Sequence, residues 1–291
     1  MTRVDERNAL LFGLGAVLLW STVATAFKLG LRELAPVQLL LLGSVVSLGF
    51  FTAWAWFRGH LPALLALRGR ALANTCLLGL LNPFLYYLVL FEAYARLPAQ
   101  IAQPLNYTWA VTLALMAVPL LGQRLRQRDV VGIAISYAGV LVLLSGGRFE
   151  GFAALDPIGI LLALGSTVIW AGYWLLSVRS REHAVVTMTG GFFVGTAAIG
   201  VVCGLTAGWP VLNLEHLAYG CWVGLVEMGI TFLLWREALA RTAFAARIGQ
   251  LVFLSPFLSF VLIGRVLGET IQVSSVLGLA GIVGGLVIAR R

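Results

Sequence analysis

Ten apolar stretches, each close to the roughly twenty residues a helix needs to cross a bilayer, follow one another with no long polar segment between them. They lie at roughly 9–28, 36–57, 71–91, 98–121, 129–146, 157–178, 185–206, 217–239, 243–264 and 272–289. A lipid interior offers no water to bond stray N–H and C=O groups, so stretches of this length have to be helical. The sequence predicts an all-α membrane protein of ten transmembrane helices. Composition argues against a water-soluble domain. Only 11% of residues are charged, against about 25% in soluble proteins.

The basic residues set the orientation. A net charge of +8 would suit a nucleic-acid partner, but the arginines are scattered singly between apolar stretches rather than gathered in a basic domain. With a cytoplasmic amino terminus, fifteen of the 20 Lys and Arg residues fall on or near the inner side, leaving Lys28, Arg32, Arg96, Arg148 and Arg265 outside. Both termini are therefore expected in the cytoplasm of a multi-pass inner-membrane protein, with lipid rather than nucleic acid around it. Arg3, Arg7 and the apolar run to Ala24-Thr25-Ala26 have the outline of a cleavable signal peptide. The region around Trp20 has a counterpart deep in the chain, however, so it is expected to stay. Cys76, Cys203 and Cys221 stand at unrelated spacings in or beside apolar stretches, as small core residues do.

That counterpart belongs to an ordered series of echoes. Leu18-Leu19-Trp20 returns as Val168-Ile169-Trp170, and the Glu-Ala-x-Ala-Arg string ending at Arg96 returns ending at Arg241. Gly79 pairs with Gly224 and Asn82 with Glu227 at an offset of 145; Gly132 pairs with Gly278 and Gly139 with Gly285 at an offset of 146. Five stretches match five. Because five is odd, the second copy crosses in the opposite sense, which predicts two inverted repeats, residues 1–147 and 148–291. The boundary falls in the turn-rich segment from Ser145-Gly146-Gly147 to Asp156-Pro157. Inverted repeats place a substrate site near mid-membrane, where the copies meet, and expose it alternately to either side.

Ten apolar spans in two halves, Leu19-Trp20-Ser21-Thr22 in the first and Asn106-Tyr107-Thr108-Trp109 in the fourth together resemble the drug/metabolite transporter superfamily. Within it the EamA-type exporters are the nearest fit, and among those the bacterial aromatic amino acid exporters. The resemblance covers nearly the full length. The proline that commonly follows the fourth-span tryptophan is replaced by Ala110, while Pro256 stands in the corresponding part of the ninth span. The resemblance implies a secondary exporter of small metabolites that needs no cofactor.

Polar residues inside apolar stretches mark candidate sites. Glu227 sits near the middle of the eighth stretch, where a carboxylate costs about 2–3 kcal/mol unless paired, protonated or facing water. It is either an amine partner or proton carrier, or a structural acid bonded between helices. Gly220, Gly224, Glu227, Thr231 and Trp235 are spaced to share one helical face. Asn82 precedes Pro83, which frees a carbonyl one turn earlier, and Tyr86 and Tyr87 follow. The fourth stretch adds Gln103, Asn106 and Tyr107; the sixth adds Trp170, Tyr173 and Trp174; Trp20, Ser21 and Gln250 complete the set expected to bind substrate. Lys28 and Arg247, near stretch ends, are expected to snorkel to the headgroups, although Arg247 and Gln250 share a face that could meet a carboxylate.

Rings for stacking, a few amides and one central acid suit amino acids, aromatic ones among them, or related metabolites. The alternative is a polyspecific exporter of aromatic cations or drugs. No G-x-x-x-x-G-K-[ST] string supplies ATP, so a substrate or ion gradient must drive transport. An embedded enzyme is disfavoured: His60, His183 and His216 are far apart in loops, and no metal-ligand spacing is present. A monomer suffices for such a cavity.

Overall fold

The computed structural model describes residues 5–121, 127–146, 155–177, 183–242, 248 and 251–290, and among these there is no strand. Seven helices are long and apolar enough to cross a membrane: Glu6–Glu33, Pro36–Phe57, Gly69–Arg96, Gln127–Ser145, Pro157–Ser177, Ala184–Leu205 and Leu214–Ala238. Shorter apolar helices occupy Leu251–Leu267 and Val273–Ile288. The stretch near 98–121 forms two helices, Ala99–Tyr107 and Trp109–Leu121, which meet at Thr108. Spans are numbered below by the ten apolar stretches.

Helix ends follow local chemistry. Asp5, Asp156 and Asn213 each accept a backbone N–H of the first turn that follows, from Asn8, Ile158 and His216. Pro36 and Pro157 stand at first helical positions, where a missing N–H costs nothing. The outward surface is apolar, with Leu161 69%, Phe193 65% and Val201 62% exposed. A soluble protein would hide such side chains, and lipid does not require it.

Since lipid tails are as apolar as leucine, close packing has to hold the helices together. Glycine supplies it. A Cβ on Gly79 would stand 2.3 Å from the Gly191 carbonyl oxygen, joining spans three and seven. One on Gly224 would stand 2.5 Å from the Gly43 oxygen, joining spans eight and two. Spans five and ten lie together along Gly139 against Gly278 and Gly132 against Gly285. Span one packs along span eight, and span six along span three. Each of these contacts maps onto another, or onto itself, when the first five spans are exchanged for the last five.

Spans three and eight share a further feature. Wide π-helical turns occupy Leu80–Leu85 and Trp222–Ile230. In span three Asn82 leaves helical geometry altogether (φ −147, ψ 118), before a cis bond to Pro83. In span eight the backbone stays helical, and Thr231 Oγ1 donates to the carbonyl five residues back, at Val226.

Candidate substrate site

A cavity of about 90 Å³ opens between the first five spans and the last five. Span one gives it Trp20, Val23, Ala24 and Phe27; span three gives Tyr86, Leu90 and Tyr94. Gln103, Asn106, Tyr107 and Trp109 come from span four, Trp170 from span six, Glu227 and Phe232 from span eight, and Val252 from span nine. This is smaller than the roughly 300–1,000 Å³ of a typical small-molecule pocket, so a bound aromatic molecule requires the walls to move apart.

Rings make up most of the wall. Trp170 stacks on Tyr86 (centroids 4.5 Å, planes 28° apart) and on Tyr173 (5.7 Å, 23°), and meets Trp109 and Trp174 edge-on. Trp20 packs against Trp235 at 5.3 Å and Phe232 at 6.2 Å. Each such pair is worth about 0.5–1.5 kcal/mol beyond area burial. The linked rings therefore form an aromatic box.

The carboxylate of Glu227 opens into this box, held by the Tyr87 hydroxyl at 3.0 Å and faced by the Trp20 indole. Among the described lining residues it is the one charged side chain. The amides differ in their commitments. Asn106 is anchored at both ends: its Oδ1 accepts from Tyr86 at 3.3 Å and its Nδ2 donates to Ser166 at 3.0 Å, tying span four to spans three and six. Asn82 is buried outside the lining, beside Tyr173, with its Oδ1 unbonded. Gln103 lines the cavity with a buried, unbonded Oε1.

Of the residues expected to bind substrate, Trp20, Tyr86, Gln103, Asn106, Tyr107, Trp170 and Glu227 line the cavity, while Tyr87, Tyr173 and Trp174 form a layer behind it. Ser21 and Thr231 do not reach it; each hydroxyl donates to its own helix, to the carbonyls of Leu18 and Val226. Gln250 and Arg247 lie outside the described residues. The expected single face from Gly220 to Trp235 is also corrected. Gly220 and Gly224 pack on Leu42, Gly43 and Val46 of span two, whereas Glu227 faces the cavity, because the π-helical turn breaks the 3.6-residue period on which a common face depends. Sequence reasoning missed Val23, Ala24, Phe27, Leu90, Tyr94, Phe232 and Val252, apolar or aromatic residues with no local mark to separate cavity from lipid.

One end of the cavity is fastened by polar contacts. Lys28 does not snorkel; its Nζ donates to the carbonyls of Tyr94 at 2.8 Å and Leu97 at 3.0 Å, capping the end of span three. Glu269 accepts from the Ala99 and Gln100 N–H groups at 2.9 and 3.3 Å, where a helix start favours an anion. The Gln100 side chain bonds in turn to Thr270, Gln272 and Ser275. Close by, Arg96 pairs with both Glu92 and Asp156. Among the described residues, no group of three His, Cys, Asp or Glu side chains is placed to hold a metal.

The profile of the EamA-like transporter family matches the chain over residues 7–145 and 157–291. The chain belongs to the EamA-like transporter family. This EamA protein is 32% identical over 267 residues to the aromatic amino acid exporter YddG of Ancylobacter novellus, covering 89% of each chain. It is 26% identical over 273 residues to an uncharacterized transporter of Archaeoglobus fulgidus, covering 91% of each. It is also 28% identical over 155 residues to the inner membrane transporter YedA of Escherichia coli, covering 53% of this chain and 48% of that one. A solved crystal structure with 27% identity superposes with a TM-score of 0.69 over 98% of this chain and 97% of the other. The EamA protein is a transporter of small molecules, not an enzyme, and a multi-pass protein of the inner membrane.

Proposed function

We propose that this transporter is a secondary exporter of amino acids, aromatic ones among them. It works by alternating access between two inverted five-helix halves, residues 1–147 and 148–291, through ten crossings with both termini in the cytoplasm, and it acts as a monomer. The observation that carries the reading is the cavity itself: both halves line it, rings wall it, and Glu227 gives it a single charge. The packing pairs that recur when the halves are exchanged support a two-fold relation between them, and an odd number of crossings in each half supplies the inversion. The name of the Ancylobacter novellus relative supports the substrate class. In this reading the substrate ring lies among Trp20, Tyr86, Trp109 and Trp170, and its ammonium meets the Glu227 carboxylate. Tyr87 and Trp20 aim that carboxylate and exchange it from water to substrate.

One observation favours a second reading, export of aromatic cations. A lone carboxylate among π-faces attracts a cation whether or not it carries a carboxylate of its own. Counterflow into proteoliposomes separates the two. Exchange of labelled tryptophan or phenylalanine, chased by single amino acids and not by quaternary ammonium dyes, supports amino acid export; the reverse pattern supports the alternative. Proton coupling through Glu227 is tested in the same vesicles. An unchanged pH dependence in Glu227→Gln discards it.

A further inference from the structure

Glu227 accounts for the ammonium of an amino acid and leaves its carboxylate without a partner. Among the described lining residues no Lys or Arg is available to receive it. A cation in so small a cavity would pair with Glu227 first, because opposite charges a few ångströms apart in a low-dielectric space attract strongly. Neutral donors avoid that competition. Of the three amides described near the cavity, Asn106 is held in place by Tyr86 and Ser166, and Asn82 lies outside the lining. Gln103 remains, 3% exposed, with Oε1 bonded to nothing.

The helix opposite carries a matching deficit. Ser259, one turn from Ser255 on span nine, is fully buried, and its hydroxyl has no hydrogen-bond partner. Two contacts fix how spans four and nine run past each other: Tyr107 lies beside Ser255, and the Ala99 N–H meets Glu269. Residue numbers rise along one helix as they fall along the other, so the pair is antiparallel. One turn from Tyr107 toward Ala99 is Gln103, and one turn from Ser255 toward Glu269 is Ser259. Gln103 and Ser259 therefore stand at the same level, each with an unmet bond. A buried polar group left in this way costs free energy that pairing the two would return.

We propose that Gln103, backed by Ser259, is the subsite in the cavity wall that receives the substrate's carboxylate. This rests on the amino acid reading above and deepens it. When Ser259 Oγ–H donates to the Gln103 Oε1, the amide turns its NH₂ toward the cavity, and both of its hydrogens point where a carboxylate oxygen sits between spans four and nine. That bond closes the two unmet groups on each other and leaves the amide hydrogens for the ligand. The cavity selects a zwitterion over the corresponding amine, since only the zwitterion engages both walls.

The test compares L-tryptophan with tryptamine, which keeps the ring and the amine and has no carboxyl group, as competitors of tryptophan counterflow by the full-length chain in proteoliposomes. Gln103→Leu and Ser259→Ala are each expected to weaken tryptophan about tenfold, the usual effect of losing a hydrogen bond to a charged group, and to leave tryptamine unchanged. That unchanged arm also shows that the variants fold. Ser259→Thr, which keeps the hydroxyl, is expected to retain the wild-type ratio of the two affinities. A ratio unmoved in Gln103→Leu and Ser259→Ala, whether both ligands weaken together or neither does, overturns the subsite and leaves the unmet bonds to water. A wild-type chain that exchanges no aromatic amino acid removes the functional reading itself, and that is seen before any variant is made.

Discussion

Asn82 and Glu227 occupy the same place in the two halves of the chain, yet the structure uses them differently. Both lie in wide helical turns of a cavity-flanking span. In span three the backbone itself departs from the helix at Asn82, and the side chain is buried behind the wall beside Tyr173. In span eight the backbone stays helical and Glu227 reaches the cavity, aimed by Tyr87 from span three. One half of the chain supplies the charge and the other positions it. Two halves that meet at one site do not have to furnish it symmetrically, because each sees the other's side chains rather than its own.

The largest effect expected from breaking this asymmetry is on transport. Glu227→Gln lowers aromatic amino acid counterflow by about tenfold or more, and Asn82→Ala lowers it by less than about threefold, since only the first removes a charged partner from the cavity. Equal losses would mean that both copies face the substrate. The repeat-related tryptophans sharpen the point. The Trp20 indole faces Glu227, whereas Trp170 stacks on Tyr86 and Tyr173. Trp20→Phe should therefore raise the apparent KM by about fivefold, and Trp170→Phe by less than about threefold.

Where the copies do match, paired substitutions should match too. Gly79→Ala and Gly224→Ala each drive a methyl into a facing carbonyl, and each is expected to lower stability by about 1–3 kcal/mol, read as thermal unfolding in detergent. Gly49, with nothing within 4 Å of an added Cβ, is the control and tolerates alanine. The smallest effect concerns the caps of spans two and seven. Ala35 has no side chain to offer, whereas the His183 Nδ1 accepts the Val185 N–H. Burial first, then stacked His60 and the charges of Arg236 and Arg58, hold the His183 imidazole below its ordinary value. A lowered value means that the folded state resists the proton. The stability this contributes is present above about pH 6.5 and is lost as pH falls through the lowered value. The unfolding temperature should decline in that window for the wild type and decline less for His183→Asn, which caps without titrating there.

The sequence alone showed the apolar stretches, the echoes and the oddity of a mid-span Glu227, because lipid enforces length and charge residue by residue. It did not show which way the helices turn. The π-helical segments at Leu80–Leu85 and Trp222–Ile230 carry no local signal beyond Pro83, so even spacing from Gly220 to Thr231 suggested one face where the structure has two. Phe27, Phe232 and Val252 line the cavity, yet in sequence they cannot be told from Phe193 or Val201, which face outward. Lys28 illustrates the same limit: its partners are carbonyls of Tyr94 and Leu97, groups that every residue possesses.

The Glu269 carboxylate answers the first amides of a helix that belongs to the other half of the chain. That helix start is complete only while the halves touch there. Parting them strands two N–H groups and an anion, a heavy toll in hydrocarbon and a light one where solvent can step in to replace each bond. The fastening can therefore be undone only on a side that water reaches, so its chemistry doubles as a lock against opening toward the bilayer.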